Sequence, residues 1–247
     1  MGRKIVLIQN VIMDQKEHIR ELLRTMDETA SSMTEIIFMK YFDNVEPKQK
    51  YLLAMYDDTF KTVSVFCQAL SKVALTQAGD MLRKLIEQVA ILNVLIDHPE
   101  KLSKFVEHYK LRKEIWDKSK SQQITIVSQK FGVQDDPRAL TYLDYGWVSN
   151  KCNETQLLLE AGFSDMVSWK KMFLDKFVHS SYTNVDLAGE HYDYPIIQHL
   201  VEIASKCFDN LCCSFHKLTN FDFVIDKRDM FQGEFRPLYE QFKIKHE

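Results

Sequence analysis

Glycine and proline are scarce in this chain, and their scarcity constrains the fold more than any other feature. The 247 residues include only 7 glycines and 5 prolines. Sandwiches, barrels and doubly wound sheets need many tight turns, which these two residues commonly form. Hydrophobic residues make up 45% of the chain, so a substantial core can form. The sequence therefore predicts an all-α fold, with long helices joined by few corners.

Apolar residues at helical spacing predict a long N-terminal helix over residues 3–35. The segment FDNVEPKQ then interrupts the pattern, with Asn44 and Pro47 as helix breakers. Beyond it, the chain contains no repeat and no flexible linker. We therefore predict an irregular multi-helix bundle over residues 46–247, with residues 1–45 as an N-terminal helical extension.

Within the predicted bundle, residues 81–96 read as a central buried helix because 11 of these 16 residues are apolar. Gly79 marks a predicted junction before this helix. The segment QQITIVSQKFG is short and β-branched, and it fits either a strand or a helix. Asn153 is expected to cap a short helix that Gly162 ends.

Several common sites are missing from the sequence. It contains no G-x-G-x-x-G, no G-x-x-x-x-G-K, no H-E-x-x-H and no Glu-x-x-His pair, so we predict neither a cofactor nor a metal. The five cysteines form no C-x-x-C pair, which is typical of reduced thiols in a cytoplasmic protein. No apolar run approaches the roughly 18 residues of a membrane span, so we expect no membrane association.

Arg83 and Glu87 form the first candidate constellation. They are four residues apart on the predicted central helix, so both side chains point to one side. One interpretation is a solvated helix face. The other is a polar stripe inside the bundle, where a desolvated Arg–Glu pair would indicate function because it is costly to bury.

Asp175 and His179 form the second constellation, near the end of another predicted helix. At four-residue spacing the carboxylate can reach the imidazole, orient it and raise its pKa, as general acid–base chemistry requires. The alternative is that a histidine close to a helix C-terminus simply complements the helix dipole.

Residues 101–130 form a basic stretch, with eight Lys or Arg against three acidic residues. Phe105, Tyr109 and Trp116 are interleaved with them. Such a stripe can hold single-stranded RNA, or it can be the solvated face of a helix whose aromatic residues lie in the core. The predicted RNA contacts are Lys101, Lys104, Lys110, Arg112 and Lys113.

Four motifs in order carry a family resemblance: LRKLIEQ, YGWVS, LLLEAGFSDM and FLDKFVHSS. Over roughly residues 60–215 they resemble a bacterial helical family of unknown function. That family is similar to the wider HEPN-like group, which includes RNA-cleaving toxins and phage-defence proteins along with many non-catalytic members. The resemblance implies functional roles for Arg83, Glu87, Trp147 and His179. This chain departs from the family pattern at two points. Asp175 replaces the serine that the family has four residues before the histidine, and the arginine that RNA-cleaving HEPN toxins have four to six residues before the histidine is absent.

Two functional hypotheses follow. In the first, the protein is a non-catalytic module that binds a small ligand or a partner, and Arg83, Glu87 and His179 form a buried polar network. In the second, it is a metal-independent endoribonuclease of the toxin or phage-defence type. His179 would then be the general acid–base, Asp175 its orienting group, and Arg83, positioned by Glu87, the electrostatic stabiliser. Because no arginine lies close before His179 in the sequence, the cation that stabilises the phosphate could also come from the second subunit of a homodimer.

Overall fold

In the computed structural model of the chain, every secondary-structure element of the described residues is helical. The structure describes residues 2–41, 45–149, 153–169 and 194–220 and, within these, the side chains of 16–41, 45–149, 153–167 and 197–220. These ranges contain nine α-helices and no strand. The predicted all-α multi-helix bundle with a long N-terminal helix is confirmed. The division of the chain at residue 45 stays a prediction.

The α-helices are α1 (Gly2–Ile36), α2 (Pro47–Ser71), α3 (Leu75–Asp97), α4 (Leu102–Ile115), α5 (Lys120–Phe131), α6 (Arg138–Tyr145), α7 (Glu154–Glu160), α8 (Ser164–Trp169) and α9 (Tyr194–Thr219). A π-helical turn, Ile37–Tyr41, continues α1, and a 3₁₀ turn, Pro99–Lys101, precedes α4. The ambiguous QQITIVSQKFG segment lies almost entirely in α5 and is therefore helical.

Local capping explains several helix ends. Ser119 and Gln122 form a capping box at the start of α5, and Gly132 ends that helix with a φ of 66°. The Asn153 side chain accepts a hydrogen bond of 2.8 Å from the backbone N–H of Gln156, which confirms the predicted cap of α7. Gly162 follows α7 with a φ of 79°, a conformation that glycine adopts without steric cost.

The junction between α2 and α3 does not lie at Gly79, so that prediction is wrong. The chain leaves α2 at Ser71 and turns at Val73, which has a φ of 59°. The turn is closed by backbone hydrogen bonds from Val73 and Ala74 to the carbonyl oxygens of Leu70 and Ala69. A β-branched residue rarely adopts this conformation, so composition gave no signal for it. Gly79 is buried within α3.

The central helix is α3, as predicted, and it packs against both α2 and α9. Its buried face includes Leu82, Leu85, Ile86 and Val89, which are fully enclosed. The same hydrophobic core contains residues of α1 from Ile19 to Met33 and Ile37 of the π-helical turn, so this segment packs against the bundle over its length. Burial of these side chains is the main favourable contribution to folding.

Aromatic rings join α9 to α2 and to the end of α1. The Phe215 ring meets Tyr56, Tyr41 and Phe60 edge-to-face, with ring centroids 5.0, 5.8 and 6.1 Å apart respectively. Phe60 also meets Phe208 of α9 at 6.4 Å. Edge-to-face pairs place the positive edge of one ring against the negative face of another and add to the burial energy.

A second, smaller core lies beside the first. Leu111 and Ile115 of α4, Val127 of α5, and Ala139 and Leu143 of α6 form it. Because α4 also contributes Phe105 to the main core, this helix joins the two hydrophobic clusters. The space where they meet is the candidate site described below. Among the described helices, none has a stretch long and apolar enough to cross a membrane.

The aromatic junction predicts a large effect of Phe215→Ala. The variant should have a free energy of unfolding about 3–5 kcal/mol lower than wild type, because the change leaves a cavity against three rings. Urea denaturation followed by circular dichroism measures this. The matched control is Phe38→Ala, since Phe38 is 49% exposed; its cost should not exceed about 1 kcal/mol. Equal losses in the two variants would contradict the role assigned to Phe215.

Candidate functional site

A cavity of about 360 Å³ opens between α2, α3, α4 and α6. This volume falls in the range of ~300–1,000 Å³ that is usual for small-molecule sites. Ala54, Asp58 and Tyr109 line the cavity and are exposed, so solvent reaches it from their side. Other lining residues are buried, among them Phe105 and Trp147.

Two helices contribute residues at regular helical spacing. The cavity face of α4 carries Phe105, His108, Tyr109 and Arg112, at positions i, i+3, i+4 and i+7. The facing side of α2 repeats the same spacing with Tyr51, Ala54, Met55 and Asp58, and adds Thr59. This spacing puts each set on one side of its helix. The two helices therefore present mixed aromatic and polar faces to each other across the cavity.

The remaining wall comes from α3, α6 and the turn after α6. Glu87, Gln88 and Ile91 of α3 line the cavity together with Leu143, Asp144 and Trp147. The turn is tight: a Cβ atom added at Gly146 would lie 2.6 Å from the Tyr142 carbonyl oxygen. Lys104 donates a hydrogen bond of 2.6 Å to the carbonyl of Gly146, which fixes the turn to α4. Glycine at this position therefore allows the close approach that brings Trp147 to the cavity.

Four rings form an aromatic wall, consisting of Tyr51, Phe105, Tyr109 and Trp147. Their centroids are 6.0 Å apart for Tyr51–Tyr109, 6.3 Å for Phe105–Tyr109 and 5.0 Å for Phe105–Trp147. The Trp147 Nε1–H donates to the Asp144 backbone carbonyl oxygen at 2.8 Å. The indole N–H is therefore already hydrogen-bonded within the protein, and the ring offers a ligand only its apolar surface. The wall can stack against an apolar body or face a cation.

Two carboxylates with partners lie at the same cavity. Glu87 Oε1 accepts a hydrogen bond of 2.8 Å from the hydroxyl of Tyr145, and burial, with Glu87 adding to it, raises the pKa of that hydroxyl. The Asp144 carboxylate pairs with the guanidinium of Arg112. Burial nevertheless raises the pKa of Asp144 to about 6; Arg112 opposes this shift and the nearby Glu87 charge adds to it.

His108 is a deeply enclosed polar residue of the cavity, with 2% of its surface exposed. Its Nδ1 lies 3.0 Å from the Leu143 carbonyl oxygen. A carbonyl only accepts, so Nδ1 carries the proton and Nε2 is left as an acceptor. Burial lowers the pKa of His108, which favours this neutral form. Within the described part of the chain, Nε2 has no hydrogen-bond partner.

Gln88 presents a second unsatisfied atom. Its Nε2 donates to the carboxylate of Asp58, which fixes the orientation of the amide because a carboxylate only accepts. The amide oxygen, Oε1, is enclosed and has no partner among the described residues. Buried polar atoms are nearly always paired in folded proteins, so these two atoms call for hydrogen-bond donors, which an ordered water or a bound molecule can supply.

The chain matches none of the family models, curated proteins or solved structures with which it was compared. The resemblance to HEPN-like proteins therefore stays a prediction, carried by the four motifs alone.

Of the sequence-predicted site residues, Glu87 lies at the cavity and Arg83 does not line it. Arg83 is half-buried one turn earlier on α3. Trp147, which the resemblance singled out, belongs to the aromatic wall. Asp175 and His179 lie outside the described residues, so their proposed proton chemistry stays a prediction.

The predicted RNA contacts differ from one another in their surroundings. Lys101 pairs with Glu160 at 2.5 Å, Lys104 binds the Gly146 carbonyl, and Arg112 pairs with Asp144. Lys110 and Lys113 are exposed on α4. The first three side chains thus already have internal roles, and the RNA interaction as a whole stays a prediction.

His108 and Asp144 were missed by reasoning from sequence. For His108 a signal existed: with Phe105, Tyr109 and Arg112 it follows the i, i+3, i+4, i+7 pattern of one helix face. For Asp144 no such signal was available. The groups around its carboxylate are Arg112 of α4 and Glu87 of α3, which precede Asp144 by 32 and 57 residues in the chain.

Asp144 predicts a dependence of stability on pH. Its pKa is higher in the folded state than the ordinary 3.8, so its contribution to stability is full below pH 3.8 and is lost as pH rises through about 6. Asp144→Asn removes this loss. Urea denaturation should show the variant gaining on wild type in free energy of unfolding between about pH 4 and about pH 7. If the difference in free energy of unfolding between variant and wild type stayed constant over this range, burial would not be the main influence on the pKa of Asp144.

His108 predicts a defined tautomer. In a histidine-selective ¹H–¹⁵N NMR correlation, the His108 ring should show a protonated Nδ1 and an unprotonated Nε2 at neutral pH. The His108→Gln variant assigns the signals, because only those of His108 disappear. Protonation at Nε2 instead would show that the bond to the Leu143 carbonyl is not made.

Proposed function

We propose that the protein is a non-catalytic helical module that binds a small organic molecule in the cavity between α2, α3, α4 and α6. The observation that carries this proposal is the coexistence, in one cavity of about 360 Å³, of an aromatic wall and enclosed polar atoms without partners. An apolar lining with a few convergent polar groups is the usual composition of a ligand site.

The polar groups support binding better than they support packing. A cavity lined only by apolar groups leaves nothing to satisfy, whereas an enclosed amide oxygen and an enclosed imidazole nitrogen each lose hydrogen bonds to bulk water. The cost of leaving them unpaired is recovered when a ligand or an ordered water fills the space. Exposed residues at one side give such a molecule a route in.

The endoribonuclease hypothesis stays the alternative proposal. It depends on Asp175 and His179, which lie outside the described residues. Its RNA contacts would rest chiefly on Lys110 and Lys113, which are exposed on α4, and on Trp116, which follows this helix and is 79% exposed. Exposed cations next to an exposed ring are compatible with a single strand. A homodimer and a cytoplasmic location likewise remain proposals, the latter supported by cysteines without a C-x-x-C pair.

Ligand binding is tested with three probes of matched size: phenethylamine, 2-phenylethanol and 3-phenylpropanoate. Saturation-transfer NMR on the full chain at neutral pH should detect binding of at least one. In the Ala54→Trp variant that signal should be lost, since Ala54 lines the cavity and an indole at this position fills the opening. Absence of binding by all three probes to wild type would overturn the proposal.

The matched control is Val65→Trp, a similar change on the same helix. Val65 is 49% exposed and does not line the cavity. It is eleven residues beyond Ala54, which puts it on nearly the same side of α2 but about 16 Å away along the axis. Probe binding should persist in this variant. Loss of binding in both variants would mean that the tryptophan acts by disturbing α2 and not by filling the cavity.

A further inference from the structure

The unsatisfied groups of the cavity are all hydrogen-bond acceptors. His108 Nε2 is an acceptor because Nδ1 holds the proton, and Gln88 Oε1 is an acceptor because the amide nitrogen faces Asp58. Glu87 accepts one hydrogen bond, from Tyr145, and a carboxylate has room for more. A ligand that completes these groups has to bring hydrogen-bond donors.

The charges of the lining point the same way. Three carboxylates, Asp58, Glu87 and Asp144, face one guanidinium, that of Arg112, which leaves a formal excess of two negative charges. Arg112 is already paired with Asp144. Asp58 lies 3.2 Å from the ammonium of Lys84, but both of these side chains are about half exposed, which weakens their attraction. Glu87 is half-buried and has no cationic partner among the described residues of the chain.

The aromatic wall adds a third, independent preference. The faces of Tyr and Trp rings attract cations, and the rings also stack against an apolar body. Tyr51, Phe105, Tyr109 and Trp147 lie on the same cavity as Glu87 and His108. The cavity thus combines acceptors, negative charge and aromatic surface within one volume.

We infer that the cavity binds an organic cation that carries N–H donors and an apolar body, of the arylalkylammonium type. This inference deepens the proposed function and rests on it. The ammonium group lies among Glu87, Gln88 and His108, where its hydrogens complete the unsatisfied acceptors. The apolar body lies against the aromatic wall. An ammonium carries three donors and a positive charge on one nitrogen, which neither an alcohol nor a carboxylate does.

The test compares four probes by isothermal titration calorimetry on the full chain at neutral pH. They are phenethylamine, 2-phenylethanol, 3-phenylpropanoate and phenethyltrimethylammonium. Phenethylamine should bind about tenfold or more tightly than 2-phenylethanol, since hydrogen bonds to charged groups are the stronger ones. The carboxylate should bind most weakly, because it adds a negative charge. The quaternary probe should bind less tightly than phenethylamine because it has no N–H donor.

Glu87→Gln should remove most of the preference for phenethylamine over 2-phenylethanol, because the amide carries no charge to attract the ammonium. The matched control is Glu114→Gln, which removes the same charge from the exposed surface of α4. It should keep the wild-type preference. Circular dichroism confirms that both variants are folded, and the probe comparison on wild type does not depend on either variant.

The outcomes separate the inference from the proposed function. Equal or tighter binding of the alcohol or the carboxylate, lost in Ala54→Trp, would overturn the inference and support the ligand-binding module. Equal binding of the quaternary and primary ammonium ions would overturn the requirement for N–H donors. No binding by any probe to wild type would overturn both. Selective binding of phenethylamine that depends on Glu87 supports both.

Discussion

The packing of α3 against α2 and α9 is the interaction on which the rest of the structure depends. The fully buried side of α3 supplies the centre of the main core, with Leu82, Leu85, Ile86 and Val89 enclosed. Once this side is fixed, the helical period dictates where its other residues point. Glu87, Gln88 and Ile91 then line the cavity together with residues of α2, α4 and α6. The cavity is thus a geometric consequence of burying α3.

The two hydrophobic cores explain why the space stays open. Phe105 belongs to the main core, and six residues later on α4 Leu111 belongs to the smaller one. Between them α4 carries His108 and Tyr109, whose polar atoms cannot close an apolar interface without partners. Carboxylates on the facing helices cannot be buried without cost either. Polar residues at the junction therefore resist complete packing and leave a volume suited to a ligand.

The sequence predicted the fold further than it predicted the site. Helix caps such as Asn153 depend on neighbouring residues and could be read directly, as could the long apolar stretch of α3. The turn at Val73 could not, because a β-branched residue rarely adopts a positive φ and its type therefore gives no signal for such a turn. Glu87 was identified from its spacing to Arg83, although its partner, Tyr145, lies 58 residues away. Contacts of that separation leave no periodic signal in a single sequence.

The chemistry of His108 favours recognition over proton transfer. A general base gains from a carboxylate on its second nitrogen, which orients the imidazole and raises its pKa. Here Nδ1 binds a carbonyl, and burial lowers the pKa. The imidazole is accordingly a weak base held as a fixed acceptor. The hypothesis for Asp175 and His179 requires the opposite arrangement, with a carboxylate as the partner. The two histidines would therefore serve different functions, and His108 suits a site that holds its ligand unchanged.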